Sequence, residues 1–473
     1  MSAPAAPAAP ATKAAPRTAY AIALPRVLRD AAPVLPLLLL ICSLGLPVAP
    51  GAAEAGGGGT PADAISAGVV VFCVVRAVRR AERPLTRTGA LVLGLPVIGI
   101  AVAAVGANTL PDAVTGMVRY CQVFVLVPVA VVLLVRDRRD FRLVAWTLVG
   151  LALWQGAIGV HQYLTGTGAS YAGADIRAVG TFGPSDVMGM ATVVAYGVIC
   201  AVALALGSDN ARQRAPALLC ALLLVLPLTL SFSRGAWIAT ALACTAQVLL
   251  AGLRRAVRLI VVAAAVGVVL VGGLGIGTAM LQERLSSITQ VTDAPDQSVT
   301  DRYTMWAAAI DMWQERPVTG VGLKNFPAHR DSHASLALSS GSDTAGAGAG
   351  FRRQPLLSPH NMYLLVLSEQ GLLGLCAMAG SWAALLVLGL RRLHRVRTAA
   401  YGTTRPVPYG TTRSVPYGTD CALVACGLLL WQLIDFAYAD IGGPSTVLTS
   451  LVFGLAAWWA LAPAAHLKEA PRP

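Results

Sequence analysis

The chain has 473 residues, of which 56% are apolar and only 12% are charged, and its net charge is +13. Apolar runs of membrane length recur from one end to the other, which excludes the soluble and disordered classes of protein. Most Lys and Arg residues lie between these runs, so the positive charge reflects membrane topology and does not predict nucleic acid binding.

Hydropathy predicts an all-α polytopic membrane protein with about twelve transmembrane helices. Residues 1–30 form a basic, Ala/Pro-rich tail before a signal-anchor span, and a cleaved signal peptide ending near Ala53–Ala55 is the alternative interpretation. The predicted spans are 31–49, 62–78, 89–107, 117–135, 141–164, 184–206, 215–232, 235–252, 259–280, 360–390, 420–438 and 443–463.

Basic residues orient these spans. With the N-terminus in the cytoplasm, the even-numbered connections carry the clusters that begin at Arg76, Arg136, Arg212, Arg254 and Arg391. The positive-inside rule therefore places both termini in the cytoplasm and one large loop outside it. The predicted organisation is a cytoplasmic tail (1–30), spans one to nine (31–280), the large extracytoplasmic loop with an interfacial helix (281–358), spans ten to twelve with a cytoplasmic repeat linker at 391–419 (359–463), and a second cytoplasmic tail (464–473).

A few arginines fall on the outer side, where short connections normally carry almost none. Arg119, Arg177 and Arg234 lie in or beside short outer connections, and Arg302 lies in the long loop. Arginines at the outer rim of a helical bundle are suited to bidentate contacts with phosphate. The alternative for each is an arginine that extends to the lipid headgroups.

The sequence S-F-S-R-G-A-W at 231–237 joins two spans that are almost contiguous. Gly235 allows a tight backbone turn there, and Ser233 is a suitable N-cap for the next helix. The pattern therefore predicts that Arg234 is held at the outer mouth of the bundle.

Residues 300–313 predict a helix within the long outer loop. Arg302 and Trp306 are four positions apart, and Trp313 follows two turns later. This pattern is typical of an interfacial helix whose tryptophans lie at the headgroups, and Gly320 and Gly322 are expected to end the segment.

Residues 358–374 read S-P-H-N-M-Y-L-L-V-L-S-E-Q-G-L-L-G. Ser358 before Pro359 predicts a helix start, with His360 and Asn361 in the first turn and His360 on one face with Tyr363. The positive end of the helix dipole favours a neutral imidazole that can accept a proton, whereas a bound phosphate would favour imidazolium. A histidine that simply lies at headgroup level is the alternative.

These motifs follow one another in a familiar order: S-R-G, then R-x-x-x-W and G-x-G-x-x-x-F in a large outer loop, then H-N-x-Y-L with E-x-G-x-x-G. The order resembles the O-antigen ligase and O-antigen polymerase superfamily of bacterial membrane glycosyltransferases over residues 170–390. Residues 177–186 are similar to that family's Arg-containing G-T-F-x-x-P-N element, but Asp186 stands where Asn is usual and Pro184 is displaced by one.

The resemblance implies a GT-C-like architecture in the bacterial cytoplasmic membrane, with the active site on the extracytoplasmic side. It implies transfer of a glycan from a polyprenyl (undecaprenyl) diphosphate carrier to a glycan, lipid or protein acceptor. By this resemblance Arg234 and Arg302 hold the diphosphate and His360 is the catalytic base or orients the acceptor hydroxyl. The other candidate substrate-binding residues are Arg177, Arg119, Asn361 and Tyr363.

No cofactor or metal is predicted. No two acidic residues are spaced i, i+2, so the Asp-x-Asp metal clamp of many sugar transferases is missing from the sequence. His329 and His333 around Asp331 are the one rival metal-binding pattern. Without a carboxylate nucleophile, transfer is expected to invert the anomeric centre.

Two other classes of function stay open. A twelve-span transporter or flippase of a lipid-linked or polar substrate is the main alternative, although the sequence has no evident internal repeat and its polar residues concentrate in one outer loop. A non-catalytic glycan-binding scaffold is the third. Asp435, inside a predicted span, fits either a functional or a structural role. Glu369 falls on the opposite helix face from His360 and is not expected to pair with it.

Overall fold

Long apolar helices dominate the part of the chain that the structure describes. Within that part, eight helices are long and apolar enough to cross a membrane. This computed structural model describes residues 32–47, 60–80, 85–171, 174–208, 210–252, 257, 261, 297–339, 341–346, 349–402 and 418–463.

The eight long helices are joined by shorter apolar helices and by two helices of the segment predicted as the outer loop (281–358), which keeps the name outer loop below. The long ones are α2 (Pro61–Arg80), α3 (Arg87–Val105), α4 (Leu110–Leu134), α5 (Arg138–Thr165), α6 (Gly189–Leu206), α7 (Ala211–Leu230), α8 (Arg234–Ala251) and α11 (Met362–Gly402). The shorter ones are α1 (Leu35–Ser43), α12 (Thr419–Asp435) and α13 (Thr446–Leu461), and the outer-loop helices are α9 (Gln297–Glu315) and α10 (Phe326–His333).

The predicted spans agree with these helices wherever they fall within the described residues. Each predicted span other than 259–280 overlaps one helix, and 259–280 lies outside the described residues apart from residue 261. Helix α11 continues to Gly402, so the predicted linker 391–419 begins as helix, and the sequence repeat itself falls almost entirely outside the described residues, as do both predicted tails. The total of about twelve spans and the GT-C-like architecture stay predictions.

A small antiparallel sheet is an addition that the all-α prediction does not include. Its strands are β1 (Ala169–Tyr171), β2 (Ala174–Arg177), β3 (Ser342–Gly346) and β4 (Ala349–Gln354), in the order β2-β1-β3-β4. Strand β1 pairs with β3, so the sheet joins the connection between α5 and α6 to the long outer loop.

Two buried apolar clusters form the core. In the first, α6 is buried along nearly its whole length and packs against α5, α7 and α12. The second joins α3, α9 and α11. In it the rings of Phe124, Trp382, Phe436 and Phe453 pack together with centroids 5.2–6.3 Å apart. Phe436 belongs to the turn after α12, so this aromatic group packs against that turn.

The connections of the bundle sort into two ends. At one end Arg138 and Arg142 bind the buried carboxylate of Asp420, with Arg138 Nε 3.0 Å from Asp420 Oδ1. At the other end the outer loop contacts the connection between α3 and α4, where Asn325 Oδ1 accepts the Asn108 N–H at 3.0 Å. The candidate site residues described below lie at this second end, away from the Arg138–Asp420 pairs.

Two glycine-containing motifs of the sequence dock on each other through their backbones. Gly371 has φ +66° and ψ −167°, a conformation that breaks α11 and that only glycine adopts readily. The break leaves carbonyl and amide groups without partners inside the helix, and the segment 317–322 forms hydrogen bonds with them. Leu372 N–H donates to the Pro317 carbonyl at 2.8 Å, and Val321 N–H donates to the Ser368 carbonyl at 2.8 Å.

We expect Gly371→Ala to destabilise the protein strongly. An added Cβ would lie 2.3 Å from the carbonyl oxygen of Val318, and the backbone conformation alone costs about 1–3 kcal/mol for other residues. Gly94→Ala is the matched control, because nothing lies within 4 Å of a Cβ added at that helical position. Thermal unfolding in detergent should show a large drop for Gly371→Ala and none for Gly94→Ala. Equal unfolding temperatures for the two variants would contradict the docking argument.

Candidate functional site

His360 precedes helix α11 and is not part of it. The helix begins at Met362, and His360 has φ +47°, in the left-handed region. Asn361 is the N-cap, since its Oδ1 accepts the Leu364 N–H at 3.1 Å. The prediction that Ser358 caps the helix and that His360 lies in its first turn is therefore wrong. His360 does not share a helix face with Tyr363.

Contacts with the turn after α12 explain why the helix starts late. Met362 N–H donates to the Phe436 carbonyl at 2.8 Å, and Asn361 Nδ2 donates to the Ala437 carbonyl at 2.8 Å. These bonds offset the cost of about 1–3 kcal/mol for a left-handed, non-glycine residue. The hydroxyl of Tyr363 also donates to the Leu433 carbonyl, at 2.7 Å. Asn361 and Tyr363 thus hold the His360 segment on this turn, and a direct contact of either with substrate stays a prediction.

Helix α9 carries both Arg302 and Trp306, and both interact with the segment around His360. One face of α9 is buried, including Met305, Ala308 and Met312. Trp306 lies partly buried beside this face, and its Nε1 donates to the Pro359 carbonyl at 2.8 Å. The predicted interfacial helix at 300–313 is therefore a helix in the structure, but its first tryptophan is bonded to the histidine segment.

Arg302 and Asp440 both interact electrostatically with His360. Burial lowers the pKa of His360, Asp440 opposes this shift, and Arg302 adds to it. The same Arg302 and Asp440 interact with Asp435 at the end of α12. The Oδ2 atom of Asp440 is buried and has no hydrogen-bond partner among the described residues. The lowered pKa favours the neutral imidazole, and Arg302 and Asp440 act on it in opposite directions.

Arg234 is the first residue of α8, as its sequence context predicts. Ser233 caps the helix, with its Oγ accepting the Ala236 N–H at 3.3 Å. The ring of Tyr438 packs so closely on Gly235 that an added Cβ there would lie 2.2 Å from it, and the Tyr438 hydroxyl donates to the Gly235 carbonyl at 2.5 Å.

Tyr438 also interacts electrostatically with Arg302. The turn 436–440 therefore contacts the start of α8, which carries Arg234, and interacts electrostatically with Arg302. The same turn interacts electrostatically with His360 through Asp440, so it is the feature that relates His360, Arg302 and the helix start at Arg234 to one another.

Arg119 contacts the segment that follows the turn 436–440. It forms an ion pair with Asp63 and hydrogen bonds with Gln122 Oε1 and the Gly443 carbonyl, both at 3.3 Å. These contacts connect α2 and α4 to the segment that follows Asp440. Binding of substrate by Arg119 stays a prediction.

Arg177 ends β2 and begins the predicted 177–186 element. Two glutamines of α5 hold this element: Gln155 Oε1 accepts the Thr181 N–H at 2.9 Å, and Gln162 Oε1 accepts the Gly180 N–H at 2.9 Å. Asp186 accepts the Ser445 N–H at 3.0 Å, just before α13 begins. The residue that departs from the family pattern thus has a structural partner, and a binding role for Arg177 stays a prediction.

The sequence analysis missed Tyr438 and Asp440. Both lie in Y-A-D-I-G-G at 438–443, which begins at the last residue of the predicted span 420–438. The available signal was an aromatic and an acidic residue followed by two glycines at the end of a predicted span. Glu369, by contrast, has a structural partner, because its Oε1 accepts the Phe326 N–H at the start of α10 at 3.3 Å.

The rival metal-binding pattern forms a different contact. His329 and His333 do face together on α10, with ring centroids 6.2 Å apart. However, His333 Nε2 lies 3.1 Å from Glu315 Oε1, and Asp331 pairs with Arg330. Among the described residues, no group of three or more His, Cys, Asp or Glu side chains is placed to hold a metal ion.

These features define a multi-pass, mainly helical membrane protein with a polar site of arginines, a histidine and carboxylates at one end of its bundle. Residues 217–379 match the family model described as O-antigen ligase. This match confirms the resemblance to the O-antigen ligase and polymerase superfamily that was drawn from the sequence. This family implies glycosyltransferase-like activity in general and a place in the bacterial inner membrane. No curated protein matches the chain in sequence.

Proposed function

We propose that the protein transfers a glycan from a polyprenyl diphosphate carrier to an acceptor hydroxyl on the extracytoplasmic face of the membrane. The observation that carries the proposal is that the turn 436–440 contacts the start of α8, which carries Arg234, and interacts electrostatically with Arg302 and His360. All three residues fall within the matched segment 217–379. The acceptor is a second glycan, a lipid, a wall polymer or a protein.

In this proposal the arginines bind the donor. Arg302 and Arg234 contact the diphosphate through charge-assisted, two-pronged hydrogen bonds. As the bond between the anomeric carbon and the diphosphate oxygen breaks, negative charge grows on the leaving oxygen, and fixed guanidinium groups stabilise it without reorganising. The polyprenyl diphosphate then leaves as the intact product anion.

His360 acts on the acceptor. A ring nitrogen of the neutral imidazole accepts the proton of the acceptor hydroxyl while that oxygen bonds to the anomeric carbon from the face opposite the diphosphate. This attack inverts the anomeric centre. Asp440 favours the imidazolium that results, because it is the group that raises the pKa of His360. The proton then passes to solvent or to the released diphosphate, which restores the neutral base.

The test is a transfer assay with the purified protein in lipid nanodiscs. The donor is a polyprenyl diphosphate-linked oligosaccharide, no ATP is added, and the acceptors are a second lipid-linked glycan in one reaction and a lipid or peptide hydroxyl in another. Release of polyprenyl diphosphate together with a longer or newly attached glycan supports the proposal. Movement of the donor across a proteoliposome membrane without transfer to any acceptor would favour the transporter alternative.

We expect this activity to survive EDTA without added divalent ions. The proposal assigns charge stabilisation at the diphosphate to Arg302 and Arg234, so chelation should leave the transfer rate within about twofold. The measurement compares untreated enzyme, EDTA-treated enzyme, and EDTA-treated enzyme after adding Mg²⁺ or Mn²⁺ back. A loss with EDTA that add-back restores would contradict a metal-independent mechanism.

A further inference from the structure

Trp306 connects the helix that carries Arg302 to the segment that carries His360. Its indole Nε1 donates to the carbonyl of Pro359 at 2.8 Å, across 53 positions of sequence. Trp306 lies one turn after Arg302 on α9, and its ring packs edge-on against Tyr303 with centroids 5.6 Å apart. The bond therefore reaches the residue immediately before the candidate base.

The position of this bond matters because the backbone at His360 is strained. On the C-terminal side the left-handed residue is held by Asn361 Nδ2 on the Ala437 carbonyl and by Met362 N–H on the Phe436 carbonyl. On the N-terminal side the peptide unit between Pro359 and His360 is held at the Pro359 carbonyl. The Trp306 indole provides this hold.

We propose that Trp306 is a positioning residue for His360. Through the Pro359 carbonyl, the indole N–H fixes the backbone at His360 so that the imidazole faces the acceptor hydroxyl. Because the same helix carries Arg302, the bond also fixes the distance between the base and the diphosphate-binding cation. The inference rests on the proposed function, and it assigns to this tryptophan a role distinct from anchoring α9 at the headgroups.

Trp306→Phe tests the proposal, and Trp313→Phe is its matched control. Phenylalanine keeps an aromatic ring but lacks the N–H donor. Trp313 lies on the same helix and donates an equivalent bond, to the Pro317 carbonyl at 3.2 Å, but this bond does not reach the histidine segment. Trp306→Phe should lower kcat by about 10- to 100-fold, as expected for a misplaced catalytic group, while the KM for donor stays within about twofold. Trp313→Phe should leave both parameters within about twofold.

A double-mutant cycle separates positioning from a general packing role. If Trp306 acts through the imidazole, Trp306→Phe should cause no further loss of transfer in a His360→Ala background. Equal losses of kcat in Trp306→Phe and Trp313→Phe, or a full additional loss in the His360→Ala background, would overturn the proposal.

A readout that does not need transfer keeps this inference distinct from the proposed function. Carbethoxylation of His360 by diethyl pyrocarbonate, followed by mass spectrometry, reports the accessibility of its neutral ring. We expect the rate at His360 to change several-fold in Trp306→Phe and to stay unchanged in Trp313→Phe, with His329 as the internal reference. An unchanged rate at His360 in Trp306→Phe would contradict the positioning role. Wild-type protein that labels as expected but transfers no glycan would contradict the proposed function alone.

Discussion

His360→Ala should slow glycan transfer by about two to four orders of magnitude, the usual contribution of a general base. Donor binding should change little, because the proposal assigns the diphosphate to Arg234 and Arg302 and the acceptor proton to His360. The measurement determines the affinity for lipid-linked donor and the rate of transfer separately, in the same nanodiscs.

The pH dependence gives this prediction a second readout. Burial, together with Arg302, lowers the pKa of His360 below its ordinary value of 6.5, although Asp440 opposes the shift. A depressed pKa means that the imidazole stays neutral and able to accept a proton at pH 6.5 and above. The wild-type rate should therefore be level above that pH and should fall on an acidic limb whose midpoint lies below 6.5. The limb should vanish in His360→Ala.

A second histidine serves as the control. His329 lies on outer-loop helix α10, where its Nδ1 faces the Asn325 carbonyl at 3.1 Å. His329→Ala should keep wild-type transfer and the acidic limb. If His360→Ala loses donor binding as severely as transfer, the histidine belongs to the diphosphate site, and the base must be another residue.

Arg302→Lys and Arg234→Lys should each impair transfer severely while the protein is still inserted and folded. Lysine keeps the positive charge but loses the rigid two-pronged geometry of guanidinium. Loss of one charge-assisted hydrogen bond, worth about 1.5–3 kcal/mol, corresponds to about a 10- to 150-fold slower reaction. The rate of polyprenyl diphosphate release at saturating acceptor is the quantity to measure.

Arg316→Lys is the control for these two variants. Arg316 is an exposed arginine of the same outer loop, directly after α9, so the substitution tests whether any loss of guanidinium in this region is harmful. It should transfer at the wild-type rate. Wild-type turnover in both Arg302→Lys and Arg234→Lys would contradict the assignment of the diphosphate to these residues.

The local chemistry of the sequence determined the helices and the placement of one arginine. Apolar runs of membrane length become helices in lipid because each backbone N–H and C=O must find a partner within the segment. Ser233 caps α8 and places Arg234 at its first position, as predicted, because a cap depends on residues only three positions apart. The helix at 300–313 also follows from a local pattern, because its buried residues repeat at helical spacing.

The environment of His360 depended on the tertiary structure. Ser358 and Asn361 are both good helix caps, and local propensity does not choose between them. The choice is made by bonds from Asn361 and Met362 to carbonyls in the turn after α12, more than seventy positions away. The same turn brings Asp440 to the histidine and Tyr438 to Gly235, and both contacts join segments that are far apart in the sequence.

Pairing between distant segments was likewise decided only by the fold. Strands β1 and β3 are short and come from connections far apart in sequence, so neither has the length or alternation that would predict a strand alone. Gly371 reads as an ordinary glycine within an apolar helix, and its break is stabilised only because the segment 317–322 supplies hydrogen-bond partners to the freed backbone groups. Sequence determines a helix through contacts a few residues apart, whereas this site depends on contacts between segments that meet only after the bundle has assembled.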